Sequence, residues 1–124
     1  MYYQQVSFGG ILTNYMDLVD EISFIYRGKV VLCDQASENS FISLGHGSYF
    51  GDWNHFLQVR SGFRIIVASD YPCELLCIET QVFGEIIDLY PRENKFLANR
   101  AKKRYLYFKR MRNHDRKERS EDLY

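Results

Sequence analysis

The apolar residues of the first eighty positions come in runs too short for helices, and that spacing limits the fold more than any other feature. Tyr2–Phe8, Ile11–Thr13, Ile22–Tyr26, Val30–Cys33, Phe41–Leu44, Phe63–Ala68 and Glu74–Ile78 are short segments rich in β-branched and aromatic side chains. Glycine or polar clusters separate them: Gly9-Gly10, Arg27-Gly28-Lys29, the loop Asp34–Ser40 and Ser69-Asp70-Tyr71-Pro72. After Glu79 the period changes. Val82, Phe83, Ile86, Ile87 and Tyr90 share one helical face, which predicts a helix over 80–90 with Thr80 as N-cap and Pro91 as its stop. Leu97, Ala101, Tyr105, Phe108 and Met111 form the stripe of a second helix over 93–112. Short strands followed by two helices give a mainly β, α+β domain: a β-roll or jelly roll with helices at its C-terminal end. The charged remainder, 113–124, is expected to be disordered.

With 124 residues, 46% of them hydrophobic, the chain makes one core and one domain. No apolar run approaches the ~20 residues that cross a bilayer, and none reads as a signal peptide. Cys33, Cys73 and Cys77 are odd in number and fall in strand segments, which suits reduced thiols in an intracellular protein. The zero net charge conceals a division. Residues 1–91 hold four Lys/Arg against eleven Asp/Glu, whereas residues 92–119 hold twelve against three. Such asymmetry implies a partner for the basic helix: the acidic body of its own or a neighbouring subunit, acidic lipid along 92–112, or nucleic acid, the least favoured of the three.

Between Gly45 and Ala68 lies the stretch with the chemistry of a binding site. Glycines flank the pair Tyr49-Phe50, a short helix-compatible run opens at Asp52, and Arg60-Ser61-Gly62 precedes a β-branched strand. Peptide N–H groups at a helix start, a glycine that lets the backbone approach, and a nearby cation together make an anion cradle. Gly51 with the N–H groups of Asp52 and Trp53 would be its donors. The structural alternative is a glycine that serves only the turn. Phe50, Phe56 and Leu57 read as packing residues, and Trp53 combines that role with its peptide donor. His46 and His55 lack the His-x-His pair and acidic partner of a cupin metal site, so no metal is expected. No nucleophile–base pair or cofactor fingerprint is present, which argues against an enzyme.

At these residues the chain resembles the cyclic nucleotide-binding domain family, whose phosphate-binding cassette reads Phe-Gly-Glu, a short helix, then Arg-(Ala/Thr/Ser)-Ala. Phe50-Gly51-Asp52 matches the head of that cassette and Arg60-Ser61-Gly62 its tail. Ile22–Val30 resembles the family's preceding hairpin, and Glu74–Ile78 with Phe83 and Leu89-Tyr90-Pro91 its last strand and following helix. The resemblance implies an eight-stranded β-roll over 2–79 within a domain spanning 1–112. It implies cAMP or cGMP as ligand, with the phosphate on Gly51, Trp53, Arg60 and Ser61 and the ribose on Asp52. Phe50, Gly62 and Arg64 would border the pocket. Counted from Asp52 the arginine slot falls on Ser61, so Arg60 fills it through a change in loop length. The family context implies a regulatory domain on the cytoplasmic face of a tetrameric cation channel, most often for potassium. Its alternative is a nucleotide-free homology domain, as in ether-à-go-go-type channels, where a side chain or subunit contact sets the helix position.

Overall fold

A computed structural model describes residues 1–122. Eight strands come first: β1 (Tyr2–Val6), β2 (Ile11–Thr13), β3 (Glu21–Arg27), β4 (Val30–Cys33), β5 (Ser40–Leu44), β6 (Tyr49–Phe50), β7 (Arg64–Val67) and β8 (Cys73–Glu79). Helix α1 (Asp52–Leu57) interrupts them between β6 and β7, and α2 (Thr80–Ile87) and α3 (Pro91–Asp122) follow. The strands form two antiparallel four-stranded sheets, ordered β1-β8-β3-β6 and β2-β7-β4-β5. This is the expected mainly β roll with C-terminal helices.

Alternation explains which faces meet. Along β8, Cys73, Leu75 and Cys77 point inward, and along β7 Ile65 and Val67 do the same. With Ile25, Val30, Leu32 and Phe50 they make one core cluster, to which α1 adds Trp53 and α3 adds Ala101 and Phe108. Each large side chain so buried contributes about 1.5–3 kcal/mol. The three cysteines are buried free thiols. Gly28 turns the β3–β4 hairpin at φ +106°, and a Cβ there would lie 2.9 Å from the Cys73 backbone.

The helical end departs from the sequence reading in three ways. Pro91 begins α3 rather than only ending α2, because a proline at the first helical position gives up no hydrogen bond. Glu79, not Thr80, is the N-cap of α2. That helix also ends at Ile87, with β8 and α3 as its neighbours. Ile87 is therefore buried, while Val82, Ile86 and Tyr90 of the expected face stay exposed.

A fourth correction concerns the tail. Residues 113–122, expected to be disordered, continue α3, and only 123–124 lie outside the described residues. The cause is a long-range anchor. Arg116 donates from Nε and Nη2 to the two carboxylate oxygens of Asp34, both at 2.5 Å, and Asp34 is fully enclosed beside the start of the β4–β5 loop. His114–Glu118 and Arg119–Asp115 add exposed pairs one turn apart.

Arg116 holds the Asp34 carboxyl below its ordinary range. Stability from this pair is therefore present above the unfolded carboxylate value of about 3.9 and is lost as pH falls through the lower folded value. Asp34→Asn should lower the Tm near neutrality, and the gap from wild type should narrow as pH falls below the ordinary carboxylate range. A gap independent of pH in thermal melts would contradict the anchor.

Candidate functional site

The cassette is positioned by one backbone requirement. Gly51 sits at φ +95°, where a Cβ would come 2.3 Å from the Glu21 carbonyl oxygen, so only glycine lets β6 turn into α1 against β3. That contact alone accounts for the glycine as a turn residue. It also fixes where α1 starts and directs Asp52 and Trp53 inward, with 4% and 1% of their surfaces exposed.

Asp52 does not face solvent. Arg104, on α3, brings Nη1 to 2.7 Å from Asp52 Oδ2. The contact is ionic rather than a directed hydrogen bond, since Arg104 Nη1 and Asp52 Oδ1 are both buried without a hydrogen-bond partner. Burial pushes the Asp52 carboxyl above its usual range, while Arg104 and the peptide N–H groups of Asp52 and Trp53 favour its charge. The same guanidinium donates from Nη2 to the Tyr49 carbonyl at 2.6 Å and lies 4.1 Å from the centre of the Tyr49 ring.

On the Trp53 side of this pair rings pack between α1 and α3, while a hollow of about 140 Å³ bordered by Tyr49, Asp52, Phe56, Phe83 and Leu97 stays open on the other side. Trp53 meets Phe108 edge-on at 5.3 Å between centroids and Phe63 at 6.3 Å. Phe63 also meets Phe41 at 5.4 Å and Tyr105 at 6.2 Å, and Arg112 lies 5.6 Å from its ring. His55, on α1, packs against Phe83 of α2, and burial lowers its pKa, so the neutral ring is favoured.

The predicted tail of the cassette is elsewhere. Arg60 is exposed and donates to the Met16 carbonyl at 3.0 Å. Ser61 is buried; its hydroxyl donates to the Phe63 carbonyl at 2.6 Å, and its backbone pairs with Met16 and Asp17. Gly62 leads into β7 with open space where a Cβ would stand. Arg64 donates to the Asn14 side chain at 3.1 Å and stacks on Tyr15. The structure thus joins Phe50, Gly51, Asp52 and Trp53 into one site and turns Arg60, Ser61 and Arg64 toward the 14–17 loop.

Arg104, Tyr49 and Arg112 escaped the sequence reading. A signal for Arg104 existed: it lies three residues after Ala101 and four before Phe108, so it falls on the buried stripe, where a cation needs a partner.

Removing Arg104 would leave a buried carboxylate uncompensated. Arg104→Ala should destabilise by about 3–5 kcal/mol in urea unfolding, and adding Asp52→Asn to it should recover part of that loss. Additive effects of the two substitutions would show that they do not act as a pair.

No protein-family model matches the sequence. A potassium channel of Arabidopsis thaliana, GORK, is 27% identical over 94 residues, which cover 73% of this chain and 11% of the channel. The regulatory domain of Toxoplasma gondii PKA, solved in co-crystal with cAMP, superposes with a TM-score of 0.69 at 15% identity, over 82% of this chain and 38% of that one. The chain therefore spans a small part of the channel and well under half of the kinase regulatory chain. The two sheets, the inserted cassette helix and the helices that follow give this chain the fold of a cyclic nucleotide-binding domain.

Proposed function

We propose that this chain is the regulatory domain of a cation channel, on the cytoplasmic face of the membrane, and that α3 is the part that reports its state. The observation that carries the reading is the Arg104–Asp52 contact. In this proposal closure of α3 over the cassette is held by the protein's own guanidinium, which neutralises the carboxylate where a nucleotide ribose would otherwise be read. The aromatic cluster of Trp53, Phe63, Tyr105 and Phe108 supports the same closed arrangement. The likeness to a potassium channel supports the channel context, with copies of the same subunit, as a homotetramer, as partners. Gating then depends on the free-energy difference between docked and released α3. No catalytic role is assigned.

A second reading rests on a different observation. Asp52 Oδ1 is buried and unpartnered beside a glycine-opened turn that fits the cassette head. In that reading cAMP or cGMP enters the roll, displaces Arg104 from Asp52, and takes its phosphate contacts from Gly51, Trp53 and a rearranged Arg60-Ser61.

Titration calorimetry and thermal melts with cAMP and cGMP separate the two. The self-closed reading predicts no saturable heat and no Tm shift at millimolar nucleotide. Under the sensor reading, a nucleotide at 100 times its dissociation constant adds about 2.7 kcal/mol of stability, and Arg60→Ala abolishes that gain. Saturable binding to the wild-type chain would overturn self-closure.

A further inference from the structure

Two surfaces outside the cassette match each other in chemistry. The first is the outer face of α3. From Asn94 to His114 the helix contains no carboxylate. Phe96, Lys103, Leu106, Tyr107 and Arg110 are exposed and recur at helical spacing, so they form one stripe about 21 Å long. Its apolar members are far from buried, with Phe96 63% exposed and Leu106 47%. Lys103, Leu106 and Arg110 border a shallow hollow on this face, and neither Lys103 nor Arg110 has an ion-pair partner among the described residues.

The second surface is a groove of about 350 Å³ formed by β1, β2 and the loop leading into β3. Asp17, Asp20 and Glu21 line it together with Tyr2, Ile11 and Leu18, and no lysine or arginine does so. Ile11 and Leu18 are 55% and 72% exposed. An acidic groove with apolar walls suits a basic helix that presents apolar side chains. The helix stays docked on its own β-roll through Arg104 to Asp52 and Arg116 to Asp34, both on or near its inner face, so its outer face is free for a second molecule.

We infer that the outer face of α3 docks into the Asp17–Asp20–Glu21 groove of a second copy of this chain. The two patches differ, so the contact is heterologous: each copy offers one helix and one groove, and repetition closes a ring or extends a chain. The inference does not depend on whether the cassette takes a nucleotide. Exposed pairs of this kind are screened over about 10 Å at 0.1 M salt, so association weakens as salt rises.

Sedimentation velocity of the whole chain tests this at low and high salt. Expected is self-association at low ionic strength that falls at least about tenfold in affinity at high ionic strength. Lys103→Glu with Arg110→Glu should give monomers, as should Asp17→Lys with Asp20→Lys, and mixing the two double variants should restore association. Asp17 accepts from the Asn14 N–H. Asp20→Lys alone is therefore the control for folding, because that carboxylate has no hydrogen-bond partner among the described residues, and it should weaken association by itself. A wild-type chain monomeric at low salt would overturn the inference. So would variants that both stay monomeric when mixed although their circular dichroism is native. Binding of the helix to phosphatidylserine vesicles that the α3 reversals abolish, with self-association untouched by the groove reversals, would assign the stripe to a membrane surface instead.

Discussion

A single buried ion contact, Arg104 to Asp52, decides how the helical end of this molecule sits on its β-roll. Everything near it follows from the cost of enclosing charge. Asp52 is turned inward because the chain takes a left-handed turn against β3 that only a glycine at position 51 allows. Once inward, the carboxylate needs a cation, and α3 supplies one from the middle of its apolar stripe. The guanidinium in turn fixes the helix rotation, which seats Ala101, Tyr105 and Phe108 against Trp53 and Phe63. Packing and charge therefore specify the same docked position.

A second anchor acts at the far end of the helix. Asp34 is enclosed beside the start of a loop between two strands, and Arg116 reaches it from a segment whose composition alone suggests disorder. The two contacts lie twelve residues apart on α3 and bind it to both sheets, one through β6 and α1 and the other through β4. A helix held at two points moves as a rigid rod, so any event that frees Arg104 would be felt along its length.

Local chemistry made the strands legible in the sequence. The short apolar segments Glu74–Ile78 and Phe63–Ala68, and the glycine at Arg27-Gly28-Lys29, depend on neighbours only a few residues away, and the roll follows them closely. The glycine turn at Phe50-Gly51-Asp52 likewise depends on close neighbours. The placement of Arg60 and Ser61 does not. Arg60 and Ser61 take their positions from hydrogen bonds to Met16 and Asp17, some forty-five residues earlier in the chain, and no local pattern encodes that pairing. The length of α3 was missed likewise, since Arg116 is stabilised by a residue on a distant loop. Pro91 misled because proline opens a helix as readily as it closes one.

The chain holds one tryptophan, and it lies under α3 against Phe108 and Arg104. Acrylamide quenching of Trp53 therefore reads helix docking directly. The account predicts that quenching in the folded wild-type chain at neutral pH is much weaker than in the urea-unfolded chain, because the indole is 1% exposed. A quenching constant close to the unfolded value, in a chain whose circular dichroism shows the sheets intact, would mean that α3 does not close over the cassette.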